Sequence, residues 1–399
     1  MNPLINPFSP GAGNQPPALT GRAELLLRIE ILLSRIKAGR SEQSMFMVGL
    51  RGVGKTVLLN RVRELAEAAG YHALLIEAHE NKPLPQLLMP QLRQMLFALD
   101  RMANASQKVK RGLRVLRSFI GAVKVKMGDA EFGLDIDPEK GAADSGDLES
   151  DLAELFVAVA EAAADRAVAV AIIIDELQYL AQSEMSALIM AIHRVSQRRL
   201  PLVLIGAGLP QLVGLAGKSK SYAERLFTYP ELGALSRADA GLALQGPAQS
   251  EAASFTEEAL DEVYAVTQGY PYFLQEWGYQ AWNMAQQSPI DLALIQATTL
   301  ASTQRLDQSF FRVRFDRLTP REKDYLRALA ELGVGNQRSG DIAERLGVKV
   351  QSIAPLRSSL IKKGMIYSPA HGDTAFTVPL FDQFMLRTMP NGPRVNLAT

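Results

Sequence analysis

Residues 49–56 read GLRGVGKT, which satisfies the spacing G-x-x-x-x-G-K-[ST]. An apolar run of strand length, SMFMV, precedes it, and a stretch patterned as a helix runs from Lys55 to Ala69. A glycine-rich turn between strand and helix constrains the fold more than any other feature of the chain, because it wraps backbone N–H groups and a helix N-terminus around an anion. Gly49, Gly52 and Gly54 permit the close wrap, with Leu50, Arg51, Val53 and Val57 completing the loop and first turn. In that context Lys55 is expected to reach the β and γ phosphates of ATP, and the Thr56 hydroxyl to ligate Mg2+.

A second motif agrees. In AIIIDELQYL the apolar residues 171–174 lead into Asp175 and Glu176, two carboxylates at the carboxyl end of a strand. Alone, such a pair reads as an acidic helix N-cap. Following a phosphate loop, Asp175 is expected to hold magnesium through water, and Glu176 to polarise the attacking water as a general base.

Around these motifs, strand-length runs alternate with helical patterns: SMFMV, a helix over 55–69, YHALLIEA, a helix over about 84–102, a helix over 148–164, AVAIII, a helix over 183–195, and LPLVLIGA. The alternation predicts an α/β P-loop NTPase core, a parallel sheet with helices on both faces. We expect an extended proline-rich segment over 1–19, the core over 20–234, an all-α lid over 235–317, a winged helix over 318–388 and a tail over 389–399. An insertion over about 103–147 is polarised. Residues 101–128 carry eight Lys or Arg and no acid, whereas 129–151 carry nine acids and one Lys. This reads as a basic face paired with its acidic neighbour or, alternatively, as a nucleic-acid contact, with VKVKMGDAEFGLDID as a small hairpin. Ser254 with Glu257, and Thr319 with Pro320 and Glu322, mark two helix starts.

A chain of 399 residues, 47% apolar and 21% charged, has an ordinary globular composition and calls for more than one domain. Its net charge of +1 excludes nucleic-acid binding by bulk charge. The absence of cysteine excludes disulfides and thiolate metal sites. The first residues lack the pattern of a signal peptide, and the most apolar run is broken by Glu161, Asp165 and Arg166, so no membrane span and a cytoplasmic location are expected. His72, His79, His193 and His371 show no metal-ligand spacing.

The order of motifs resembles the AAA+ and STAND branch of P-loop ATPases, especially the origin-recognition-like and archaeal-type ATPases that end in a winged helix. The resemblance implies an ATPase and places Thr20, Gly21 and Arg22 beside the adenine. It implies a proline against the base, matched by Pro271 in Gly269-Tyr270-Pro271, as in STAND members. It implies an arginine finger, matched by Arg225; the same residue reads otherwise as a surface ion pair with Glu224 or Glu231. The family's polar sensor after the fourth strand is missing, since LPLVLIGAGLP ends in Gly206, Ala207 and Gly208, and slow hydrolysis is expected. Tyr270, Tyr272, Phe273 and Trp277 read chiefly as the core of a helical bundle.

Residues 318–386 parse as three helices, at 319–332, 339–346 and about 351–363, and two short strands, with Gly347 at the tight turn. Gln351, Ser352, Arg357 and Ser358 are then exposed on a recognition helix able to read base edges of duplex DNA, with Lys362 among the residues placed to meet phosphates. Leu318–Ser368 holds nine Lys or Arg against five acids, a mild excess, and the wing tip HGD carries no Lys or Arg. The expected function is therefore an ATP-binding, slowly hydrolysing switch that controls a winged-helix arm, for DNA binding or regulation. The alternative is a STAND-type signalling or defence ATPase that forms a homo-oligomer on ATP binding and acts through a separate effector protein.

Overall fold

The computed structural model describes residues 1–11, 13, 16, 19–102, 106–123, 136–370 and 372–393. The apolar runs form β1 (Ser44–Gly49), β2 (Tyr71–Glu77), β3 (Ala169–Asp175) and β4 (Leu202–Gly208), followed by the short β5 (Phe227–Thr228) and β6 (Glu231–Leu232). The sheet runs β2-β3-β4-β1-β5, β6 extends the β5 edge along β1, and every pairing is parallel. β1, β3 and β4 are buried at every residue, which is why they read as unbroken apolar runs rather than as alternation. Parallel pairing brings all carboxyl ends to one edge, where ligand crevices of open α/β sheets lie. Gly49 and Asp175 meet there with only β4 between their strands.

Helices 23–37 and 55–68 cover one face through Ile29, Leu33, Leu59 and Val62. Helices 84–100, 148–165 and 182–197 cover the other. Within the insertion, helix 107–122 begins at Ser106, whose side chain caps Val109 N, and buries Val109, Leu113, Leu116 and Phe119. Arg111 reaches Glu139 at 2.8 Å and Glu161 at 3.2 Å, and Arg114 lies 3.6 Å from Glu139. The basic face thus meets its acidic neighbours, while Lys108, Lys110 and Arg117 stay exposed. The hairpin expected over 123–137 falls almost wholly outside the described residues, as does His371.

Helices 237–250, 257–267, 271–284 and 292–306 follow the sheet. Helix 257–267 is capped by Thr256, not by the expected Ser254: the Thr256 hydroxyl accepts from Ala259 N, while Ser254 faces Ser288. A π-helical turn, Asp307–Phe311, and a short helix, Arg312–Phe315, lead on to helices 320–331, 339–345 and 350–362. The Thr319–Glu322 capping box forms as expected, with Glu322 N to Thr319 Oγ1 at 3.3 Å and Thr319 N to Glu322 Oε2 at 2.7 Å. Gly347 takes φ +68, the left-handed turn required of it.

The sheet here has three strands rather than two. β7 (Gln337–Arg338), β8 (Ile366–Tyr367) and β9 (Asp373–Phe376) pair antiparallel in the order β7-β9-β8. A further helix, Phe381–Thr388, folds its phenylalanines back onto the π turn, Phe311 to Phe384 at 5.3 Å. One apolar cluster consequently runs from Leu235 through Phe311 to Met385. Among the described residues, no helix is long and apolar enough to cross a membrane.

Candidate functional site

At the carboxyl edge of the parallel sheet, β1 ends on Gly49, where a Cβ would lie 2.4 Å from the Leu232 carbonyl oxygen. Gly52 and Gly54 follow at φ +82 and +91, turning the loop into helix 55–68. Lys55 is buried, and its Nζ donates to the carbonyls of Gly49 at 2.9 Å and Leu50 at 2.8 Å. Burial drives its pKa down to about 8; the carboxylates of Glu176 and Asp175 oppose that fall and the Arg51 guanidinium adds to it.

Thr56 Oγ1 donates to Asp175 Oδ2 at 2.5 Å. Asp175 is nearly fully buried, and burial raises its pKa above the usual carboxylate range against the Thr56 hydrogen bond. Glu176 adopts φ +55 and ψ +36, a left-handed conformation uncommon for a residue with a side chain. Its carboxylate accepts from Gln178 Nε2 and stands 3.8 Å from an Arg51 nitrogen.

Gln178 is the residue that sequence reasoning missed. Its Oε1 accepts from Leu209 N at 2.9 Å, just past β4, and its Nε2 holds Glu176. A Cβ at Gly208 would lie 2.8 Å from that Oε1, and one at Gly206 would lie 2.2 Å from Leu177 Cδ1. The end of β4 carries no polar side chain because residues 177–178 occupy its space. The signal available was the pairing of DELQ with a strand ending Gly-Ala-Gly.

A cleft of about 330 Å³ opens beside this loop, lined by Arg22, residues 51–58, Glu176, Leu235, Pro271, Tyr272, Phe310 and Arg314. Arg22 donates to Gly233 O at 2.6 Å, and burial lowers its pKa while Asp239 opposes the fall. Pro271 opens helix 271–284, whose Tyr272 N donates to Gly52 O at 3.2 Å. The expected bundle aromatics are in place: Phe273 and Trp277 are buried and Tyr270 and Tyr272 half-buried.

Ser9, Pro10 and Leu19 also line the cleft. The chain leading to them is anchored by Phe8, 2% exposed, on Gly278, where a Cβ would lie 2.6 Å from the ring. Asn6 Nδ2 bonds Tyr279 O and Asn283 Oδ1, and Trp282 Nε1 bonds Asn2 O at 2.9 Å. The start of the chain, read as irregular, is thus a docked strap; a single phenylalanine among prolines gives no periodic signal.

Arg51 joins this site to the C-terminal segment. Its backbone N–H donates to Thr377 O at 2.9 Å and its Nε to Gly364 O at 3.4 Å, while its guanidinium bonds Tyr179 Oη at 2.9 Å. Arg225 is not gathered here. It is exposed beside β5, at the amino-terminal end of β1, and makes no ion pair with Glu224 or Glu231. On helix 350–362, Gln351, Ser352, Ser358 and Lys362 are exposed, but Arg357 departs from expectation. Its guanidinium bonds Thr374 Oγ1 at 2.9 Å, Ser368 Oγ at 2.7 Å and Asp373 O at 2.7 Å. These contacts brace the helix against β9 and occupy the Arg357 guanidinium within its own domain.

Residues 18–205 match a family described as AAA ATPase domain, and residues 308–385 match a domain of unknown function (DUF8462). No curated protein matches the chain. Among solved structures, the Walker-type ATPase PABY2304 of Pyrococcus abyssi is similar at 17% identity and TM-score 0.55, over 92% of this chain and 96% of that one. Cdc6p from Pyrobaculum aerophilum is 13% identical at TM-score 0.48, over 99% of each chain. The ORC1 protein of Aeropyrum pernix, solved with DNA, is 16% identical at TM-score 0.44, over 94% of each.

Proposed function

From the match of residues 18–205 to an AAA ATPase domain, we propose that this chain is a magnesium-dependent, ATP-binding and slowly hydrolysing switch whose nucleotide state controls a C-terminal winged-helix arm. The loop 49–57 cradles the phosphates and Lys55 turns from its carbonyls to the β and γ phosphates. Arg22 and Pro271 flank the base. Thr56 and Asp175 offer a hydroxyl and a carboxylate already linked at 2.5 Å. That hard oxygen pair suits Mg2+, which keeps several waters and takes phosphate oxygens rather than a full protein cage. When bound, magnesium supplies charge neutralisation across the β and γ phosphates. Glu176 then draws the proton of the attacking water, and Gln178 positions its carboxylate. Arg225, at the far end of β1, can serve only the nucleotide of a neighbouring copy, so ATP-driven homo-oligomerisation belongs to this reading.

The observation that carries the switch is Arg51. Its main chain bonds Thr377 and its side chain Gly364, so any shift of the loop on phosphate binding is passed to the footing of the winged helix. For the arm's output we favour duplex DNA, met by Gln351, Ser352 and Lys362, all exposed on one helix. A protein-facing arm acting through a separate effector is the second reading, supported by the engagement of Arg357 within its own sheet.

One experiment separates them: duplex-DNA binding with ATP, with ADP and with neither, across a salt series, alongside mass by light scattering. ATP-dependent affinity that falls linearly in log salt supports the DNA arm. ATP-driven assembly with no DNA affinity supports the protein-facing arm. No nucleotide effect on either readout would end the switch proposal.

A further inference from the structure

We infer that Arg314 reads the terminal phosphate of the bound nucleotide, and that it does so from the hinge between the helical region and the C-terminal segment. This rests on the nucleotide reading proposed above and adds a residue that neither the phosphate loop nor the acidic motif contains. Arg314 belongs to the short helix Arg312–Phe315 that follows the π turn, and it lines the same cleft as Lys55, Thr56 and Glu176.

Its surroundings are those of a cation awaiting an anion. The guanidinium donates to the carbonyl of Phe310 and lies 4.0 Å from the Phe310 ring centre. Among the described residues no carboxylate forms an ion pair with it, although Arg312 on the same short helix and Arg387 in helix 381–388 each hold an aspartate. Burial, and then the neighbouring cations Arg51 and Arg317, push its pKa down to about 10. A half-buried charge in like-charged company is costly unless a partner of opposite sign arrives. A phosphoryl group is that partner, since its oxygens match the planar guanidinium fork.

The grouping also says which phosphate. Arg314 lines the cleft together with Arg51 and Glu176, and Arg51 touches Tyr179 and Glu176. That is the end of the cleft where water would attack, whereas Arg22 and Leu235 mark the other end. Helix 271–284 offers no competing cation, as PYFLQEWGYQAWNM contains neither Lys nor Arg. The hinge is also well placed to transmit the contact. Phe310 stacks on Tyr272 at 4.6 Å, and Phe311 packs against Phe381 and Phe384. Drawing Arg314 toward phosphate therefore moves the segment on which the C-terminal helices stand.

The test is fluorescence titration of the full chain with N-methylanthraniloyl forms of ADP and of adenylyl imidodiphosphate, both with magnesium. Wild type, Arg314→Gln, Arg314→Lys and Lys55→Ala are compared. Arg314→Gln should weaken the triphosphate analogue about ten- to a hundredfold, the worth of a charge-assisted hydrogen bond, and ADP by less than about threefold. Arg314→Lys, which keeps the stem and the charge, should restore part of the preference. Equal losses for both nucleotides, or none, with wild-type binding intact and Lys55-dependent, overturn the inference alone. Wild-type binding that is absent, or unchanged in Lys55→Ala, overturns the nucleotide reading beneath it.

Discussion

Gly364→Ala is the most direct perturbation of the junction between loop and arm. Gly364 sits at φ +63, and a Cβ there would lie 2.7 Å from an Arg51 guanidinium nitrogen and 3.4 Å from Leu209 Cδ1. The left-handed backbone alone costs an L-residue about 1–2 kcal/mol. The clash then moves the guanidinium, lengthening the 3.4 Å bond to Gly364 O and breaking the 2.9 Å bond to Tyr179. A hydrogen bond to a charged group is worth about 1.5–3 kcal/mol. The 3.8 Å contact with Glu176, at 20% exposure on each side, adds no more than about 1 kcal/mol. A total of roughly 2.5–6 kcal/mol is expected, more than half of it from Arg51. Gly335→Ala is the control: it has φ +100 with nothing within 4 Å of the added Cβ, so it carries only the backbone strain. Both tryptophans, Trp277 and Trp282, lie in helix 271–284 and share the apolar cluster that includes the C-terminal segment. Their fluorescence during urea denaturation therefore reports the right body. In an Arg51→Ala background, Gly364→Ala should cost no more than Gly335→Ala, giving a coupling of about 1.5–3 kcal/mol. Additive effects in that cycle would falsify the claim that Arg51 rests on Gly364.

Two further outcomes follow from the same geometry. Phosphate contact should raise the Lys55 pKa from about 8, so above that pH binding must take up a proton. Isothermal titration should find ATP affinity flat below pH 8 and falling by up to about tenfold per unit above it, with Lys55→Arg flat throughout. Without ligand the unfolded Lys55 holds its proton to 10.5 while the folded one releases it above about 8, so urea midpoints should rise with pH across that window. Phe8→Ala removes a ring packed edge-on to Phe255 at 6.1 Å and Trp282 at 6.5 Å. Burial of such a ring is worth about 3–5 kcal/mol, more than a short strap can forgo. The first residues should therefore become sensitive to protease while the sheet stays resistant; an uncut strap in Phe8→Ala would refute the docking.

What could be read from the sequence was chemistry confined to short windows. The phosphate loop and the Asp175–Glu176 pair declare themselves because residue types at fixed spacing are the requirement itself. The same holds for Thr319 and Glu322, whose capping box is local. The rest depends on partners brought from far along the chain. Ser254 looks as good a cap as Thr256 until Ser288 is seen beside it. Arg357 looks free to read bases until β9 supplies two acceptors and Ser368 a third. β7 is only two residues long and exists because Asp373 and Thr374 pair with it. Helix 381–388 and Phe8 escape notice because their burial is set by Phe311 and by Gly278, 70 or more and 270 residues away.

On the proposed reading, each group that would meet the nucleotide already has a substitute partner. Lys55 rests on two carbonyls, Thr56 on Asp175, Glu176 on Gln178, Arg51 on Gly364 and Tyr179, and Arg314 on Phe310. These exchanges are not equivalent. The partners of Lys55, Thr56 and Glu176 all belong to the parallel-sheet core, so replacing them with phosphate or magnesium raises affinity in either state of the arm. A ligand shifts an equilibrium only through its differential affinity for the two states. Only Arg51 and Arg314 have partners at or beyond the hinge, and only they can convert binding into movement. Reversing a two-state balance from 1:99 to 99:1 takes about 5.5 kcal/mol. Two charge-assisted contacts at about 1.5–3 kcal/mol each reach that figure only together. The switch therefore depends on both arginines, while Lys55 governs how tightly the nucleotide is held and not how far the arm travels.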